Sequence, residues 1–239
     1  MVRTEQRGVR PWYVDVGVRV VLGLVLLGLL CHFVVRPFVI PSESMEPTLL
    51  TGDRVAVRVI GVDTPDLDRG DVIAFAHGRT WEEERLEEPR PLKNLVRYGG
   101  DLLGVGPSHH SYTVKRIIGL PGETVSCCGF DGRIRVDGEP LAQPYVKNPH
   151  PFEHGTSCDR AVEGRAPSTR CFPEVAVPED SYLVLGDNRA NSSDSVAACR
   201  GRPADETCVA RFVPADQVVG IVQWRWWPLP PGGALRTSS

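Results

Sequence analysis

Residues 112 to 123 read YTVKRIIGLPGE, and the fold turns on TVKRIIGL, 113 to 120. β-Branched and apolar residues dominate these eight positions, and Pro121-Gly122 ends them. A run this short, rich in Val and Ile and closed by a turn pair, reads as a buried strand rather than a helix. Similar runs lie on both sides. DRVAVRVI (53 to 60) and DVIAFA (71 to 76) come first, separated by the turn-rich VDTPDLDRG. RIRV (133 to 136) is followed by Asp137-Gly138, a hairpin signal. SYLVLG (181 to 186) and VVGIVQWRWW (218 to 227) complete the set. Between them, Trp81 to His110 reads as a charged surface excursion with a helical turn or two, and 148 to 178 as loop. The expectation is a mainly β protein with long inserts and no internal repeat.

Composition agrees. Of 239 residues, 41% are hydrophobic and 24% charged, which excludes global disorder and a polytopic membrane protein. The 24 Gly and 21 Pro favour strands and turns over a helical bundle. A net charge of −3 supplies no basic field for nucleic acid. Among 27 basic residues only Lys93, Lys115 and Lys147 are lysines. An arginine holds its proton in a protein, whereas a desolvated lysine can release it.

From Val20 to Val35 the chain reads VVLGLVLLGLLCHFVV, between Arg19 and Arg36. Adding Val14 to Val18 and Phe38 to Ile40 gives the length a membrane span needs, about 20 residues. The tail before it carries Arg3, Arg7, Arg10 and Arg19 against Glu5 and Asp15, which predicts a cytoplasmic N-terminus and an outer remainder. CHFVVRPFVIP offers no small-x-small cleavage site, so the run reads as an uncleaved anchor rather than a removed leader. Six cysteines follow Cys31, as expected outside the reducing cytosol. Local closure suggests Cys158 with Cys171 and Cys199 with Cys208, leaving Cys127 and Cys128 as a vicinal disulfide or as thiols.

Three segments carry chemistry. PSESMEPTL (41 to 49) follows the anchor and holds Ser44 between two prolines. A serine needs a base to become a nucleophile, and a loop cap is the plainer reading. Lys115 alternates with Arg116 on its strand; Arg116 is the expected solvated charge and Lys115 the one on the apolar face. There, desolvation would lower its pKa and make it a general base; a snorkelling surface lysine fits the residues equally well. LGDNRANSSDS (185 to 195) is a polar loop after a strand, suited to orienting a catalytic group or to ordinary Asx turns. No histidine lies in these segments, which argues against a Ser-His-Asp triad. Trp224, Trp226 and Trp227 fit either a membrane interface or an inward-packing last strand.

Together these segments resemble the bacterial type I signal peptidase family, in the family's order. The anchor is followed by PSESMEPTL, GDRV (52 to 55), RGDVIAF (69 to 75), YTVKRIIGLPGE, GDNRANSSDS (186 to 195) and FVPADQVVG (212 to 220). The resemblance implies a signal-peptidase-like β-rich catalytic core with an inserted second β region and one N-terminal transmembrane helix. The divisions would be a cytoplasmic tail (1–13), the anchor (14–36), the core (37–123 and 181–230), the insertion (124–180) and a C-terminal tail (231–239). It implies a Ser/Lys dyad of Ser44 and Lys115, with Ser192 orienting the lysine and Ser42 and the Ser44 N–H forming the oxyanion hole. Phe38, Ile40, Met45, Leu49, Thr113 and Val114 would bind substrate, supported by Asp187, Arg116 and Asp194. The implied activity is removal of signal peptides from exported preproteins after a small-x-small motif at the cell membrane, with no metal, cofactor or nucleic acid. The alternative is an inactive or specialised paralogue. Two positions depart from the pattern. Val196 replaces an arginine, so Asp194 needs another partner, with Arg116 or Arg189 as candidates; Glu43 replaces a small residue beside the nucleophile.

Overall fold

The computed structural model describes residues 11–59, 67–81, 111–153, 155–158, 166–204 and 206–228. Helix α1 (Trp12–Phe33) comes first. Its stretch Trp12–Leu29 is long and apolar enough to cross a membrane and is not buried against the rest of the chain. The helix ends earlier than the expected anchor. Val35 and Arg36, assigned to the anchor, open strand β1 (Val35–Val39) instead, and Phe38, counted toward the span, lies in the same strand. Pro37 disfavours helical backbone at Arg36, and the β-branched Val34 and Val35 suit extended chain.

After β1 come β2 (Arg54–Arg58), β3 (Val72–Ala76), β4 (Tyr112–Gly119), β5 (Thr124–Cys127), β6 (Ile134–Val136), β7 (Glu139–Pro140), β8 (Phe172–Ala176), β9 (Ser181–Leu185), β10 (Val213–Pro214) and β11 (Val218–Trp227). A seven-stranded sheet runs β1-β2-β11-β3-β4-β9-β10, and a four-stranded sheet runs β7-β6-β5-β8. Neighbouring strands are antiparallel throughout. The architecture is therefore β-rich, as expected.

The large sheet is covered on both faces. β3 sends Ile73 and Phe75 into a cluster with Ile117, Tyr182 and Val184, while Val72 and Ala74 join Ile40, Met45, Leu49, Val55 and Val57. That explains why these strands read as continuous apolar runs rather than alternating ones. The small sheet packs Val125, Ile134 and Phe172 against Ile118, Leu183 and Leu185 of the large one.

The stretch 148 to 178, expected as loop, contains β8. Pro173 disguises it, but β8 is an edge strand of the small sheet, where a missing N–H costs little. Cys158 is bonded to Cys171 and Cys199 to Cys208, with Cα separations of 5.4 and 5.3 Å, and Cys127 is bonded to Cys128. Of the expected charged excursion, residues 82–110 lie outside the described residues, as do residues 1–10 and the 231–239 tail. Trp81 is described and buried, its indole N–H donating to the Phe212 carbonyl at 3.0 Å.

Gly119 sits where the two sheets meet. A Cβ there would lie 2.7 Å from Val125 Cγ2, 3.0 Å from Val177 Cγ2 and 3.1 Å from Leu183 Cβ. Gly119→Ala should overpack this junction and cost about 1–3 kcal/mol, read as a lower denaturation midpoint.

Candidate active site

Ser44 occupies a single 3-10 turn, Glu43–Met45, in the connection between β1 and β2. Met45 and Leu49 plug that turn into the core, and the Leu49 N–H donates to the Met45 carbonyl at 3.0 Å. The polar loop after β9 grips it from the other side. The Asn188 N–H donates to the Ser44 carbonyl at 3.1 Å, Asn188 Nδ2 to the Glu43 carbonyl at 3.2 Å, and Asn191 Nδ2 to Glu43 Oε2 at 3.0 Å. Gly186 permits this approach, since a Cβ there would collide with the Ser44 carbonyl and Ser192 Oγ.

β4 delivers Lys115 to the same point. Lys115 Nζ lies 2.7 Å from Ser44 Oγ, and both residues are buried, at 3% and 8% exposure. Burial pushes the Lys115 pKa down to about 8; Asp194 and Asp187 oppose that shift and Arg211 adds to it. At about pH 7 roughly one Lys115 in ten is then neutral. A neutral amine so placed can accept the serine proton, which a charged one cannot.

Arg116 corrects the sequence reading. It is not solvated but 3% exposed. Its Nε donates to Asp187 Oδ1 at 2.8 Å and its Nη2 to Asp187 Oδ2 at 2.6 Å, a two-pronged ion pair. Nη1 donates to the Gly70 carbonyl at 2.7 Å, and the guanidinium lies 3.9 Å from the centre of the Tyr145 ring. The expectation of solvation assumed one wet sheet face; here both are covered, so the charge requires internal partners.

Asp194 also differs from expectation. Neither Arg116 nor Arg189 pairs with it; Arg200 Nη2 does, at 2.9 Å. Val196, which replaces the expected arginine, is fully buried in the core cluster with Cys199 and Leu185. Arg200 follows the Cys199–Cys208 disulfide directly, which holds it near Asp194.

Ser42 Oγ lies 3.3 Å from Ser44 Oγ and does not cap the turn. The Ser44 N–H belongs to the first positions of that turn, which have no acceptor within it. Ser192 sits at the loop's far end, but its buried hydroxyl makes no hydrogen bond. The expected bond from Ser192 to Lys115 is not formed in this structure.

Of the expected substrate-contacting residues, Ile40, Met45 and Leu49 are buried and share one cluster, against which Phe38 and Val114 pack. Phe38 meets the Tyr112 ring edge-on at 5.3 Å, and Thr113 Oγ1 is hydrogen-bonded to His77 Nε2. Thr48 was missed as a site residue although it lies in PSESMEPTL; its hydroxyl donates to Asp187 Oδ2. Tyr145 and Arg200 were missed as well, because they come from segments with no local pattern to mark them.

The family model described as "Signal peptidase, peptidase S26" matches residues 13–227. The chain is 31% identical over 230 residues to the signal peptidase I of Mycobacterium tuberculosis, covering 93% of this chain and 75% of that protein. It is 33% identical over 220 residues to the signal peptidase I of Leptolyngbya laminosa, covering 92% and 80%. The signal peptidase IB of Staphylococcus aureus (strain N315) is 28% identical over 217 residues, covering 91% and 88%.

Two substitutions test this geometry. Asp187→Asn should cost about 3–5 kcal/mol in chemical denaturation, because it leaves the buried Arg116 without a counter-charge. Gly186→Ala should leave the fold cooperative but remove most activity by displacing the turn that carries Ser44.

Proposed function

The chain belongs to the peptidase S26 family of type I signal peptidases, and on that premise we propose that it is a membrane-anchored serine endopeptidase that removes signal peptides from exported preproteins by a Ser44/Lys115 dyad. The observation that carries this reading is the buried 2.7 Å contact between Lys115 Nζ and Ser44 Oγ. Neutral Lys115 takes the Ser44 proton as Oγ attacks the scissile carbonyl. The developing oxyanion is met by the Ser44 N–H and by the Ser42 hydroxyl, turned from its present place beside Ser44 Oγ. Lys115 then returns the proton to the departing amine, and water, activated by the same amine, hydrolyses the acyl-enzyme. Arg116 and Asp187 act as positioning residues, because Asp187 opens the loop whose Asn188 holds the Ser44 carbonyl. Ser192 becomes an orienting group if its free hydroxyl turns to Lys115 once substrate binds.

Substrate would lie against Phe38, Thr113 and Val114, over a floor of buried Ile40, Met45 and Leu49. The proposed preference for small residues at the third and first positions before the cut is one that a filled floor would support by excluding larger side chains. The proposed orientation puts the arginine-bearing N-terminus in the cytoplasm and the sheets outside. Ser44 follows the end of α1 by 11 residues (33 to 44), which keeps it near the outer leaflet. Trp224, Trp226 and Trp227, at 47%, 43% and 49% exposure, are proposed to meet the headgroups beside it. The relatives do not favour an inactive paralogue.

In detergent, the protein should cleave a preprotein bearing an Ala-x-Ala site after the second Ala, with or without chelator. Ser44→Ala and Lys115→Ala, both still folded, should each abolish the product. A folded protein that cleaves none of several such preproteins in the presence of lipid would overturn the reading. In the wild type, kcat/KM should rise about tenfold per pH unit below about 8 and level off above it, because only deprotonated Lys115 is a base.

A further inference from the structure

A second concavity, of about 510 Å³, lies between β6, the 141–150 segment, Arg170 and Phe172 by β8, and Arg189 and Arg200; neither Ser44 nor Lys115 lines it. Its charge is one-sided. Arg133, Arg170, Arg189 and Arg200 face a single carboxylate, Asp131. Three of these arginines are already engaged, Arg133 with Asp131 at 3.8 Å. Arg170 donates to the carbonyls of His150 and Gly132, and Arg200 to Asp194.

Arg189 is different. It is 7% exposed, yet no carboxylate among the described residues forms an ion pair with it. Nε donates to the Gly186 carbonyl at 2.9 Å and Nη1 to Gln143 Oε1 at 3.1 Å, while Nη2 has no acceptor. The amide nitrogen of Gln143, with the Tyr145 hydroxyl nearby, has no acceptor in good hydrogen-bond geometry among the described residues. Two N–H2 groups, tied to each other through the Nη1 bond, are thus buried without well-formed acceptors on residues that line one cationic cleft. Burial lowers the Arg189 pKa to about 10, against the opposing pull of Tyr145, Asp194 and Asp187. A buried, unpaired cation is costly, and an incoming anion would remove that cost.

The cleft lining is next in sequence to residues that hold the Ser44 turn. Asn188, whose N–H holds the Ser44 carbonyl, pairs with Lys147, and the next residues along, Arg189 and Val146, line the cleft. A substrate lying across Ser44 with one end on β1 and β4 would send its other end this way. Ile134, Leu141 and Phe172 add apolar wall for the stem of a side chain.

We propose that this cleft binds the carboxylate of an acidic side chain in the preprotein segment just after the cut, through Arg189 Nη2 and Gln143 Nε2. The assignment rests on the peptidase reading above for the identity of its ligand. It predicts a preference that bulk electrostatics would not give, since the chain carries a net charge of −3 and repels acidic peptides overall.

The test uses the full-length Ser44→Ala protein in detergent and two fluorescein-labelled peptides with the same Ala-x-Ala site. One carries Glu at the second to fourth positions after it, the other Gln. Fluorescence anisotropy should show the Glu peptide bound about tenfold tighter at low salt. That advantage should shrink toward unity in Gln143→Leu and in Arg189→Leu. Equal affinities, a Gln preference, no binding of either peptide, or a Glu advantage that survives Gln143→Leu would each overturn the proposal. Turnover of the same peptides by the wild type separates the two readings. Cleavage with no Glu preference in binding sinks this cleft alone, whereas Glu-selective binding without cleavage sinks the peptidase reading and leaves the carboxylate site standing.

Discussion

β4 carries two neighbouring cationic side chains into the interior, and only one of them receives a counter-ion. Arg116 is met on both prongs by Asp187. Lys115, one position away, is met by a serine hydroxyl and by no carboxylate among the described residues. Burial therefore acts on the two differently: the arginine's charge is balanced by its ion pair, and the lysine is driven toward its neutral form. The negative charge of Asp187 and Asp194 is near enough to oppose the shift but too far to cancel desolvation.

The same ion pair also holds the Ser44 turn in place. Asp187 is bonded to Arg116 and Thr48, and its neighbour Asn188 holds both Glu43 and Ser44 by their carbonyls. The serine turn, the lysine strand and the polar loop are thus one hydrogen-bonded unit, although 139 positions separate Thr48 from Asp187. At the far end of the loop, Arg200 neutralises Asp194, and the disulfide beside it restrains the chain. The buried Val196 shows that the position of the expected arginine has become core while the charge has moved four residues along.

What could be read from the sequence follows from these facts. Strands covered on both faces announce themselves, as TVKRIIGL, DVIAFA and SYLVLG do, because apolar residues fill successive positions instead of alternate ones. The same double burial defeats alternation as a guide to Arg116, since neither neighbour on the strand faces water. β8 is hidden because an edge position tolerates the proline that argues against a strand. The meeting of Ser44 with Lys115 has no local signature at all; only the order of the motifs brings them together on paper. Tyr145 and Arg200 reach the site from loops whose course depends on the finished fold and its disulfides.

The central claim is that burial, unbalanced by a counter-ion, makes Lys115 a base near neutral pH. The chain contains three lysines, so selective isotope labelling of lysine gives three side-chain signals whose titration can be followed by NMR. One signal should titrate at about 8 and vanish in Lys115→Met. If the signal lost in that variant instead titrates above about 10, the ordinary lysine value, Lys115 is charged when the enzyme works and the account fails.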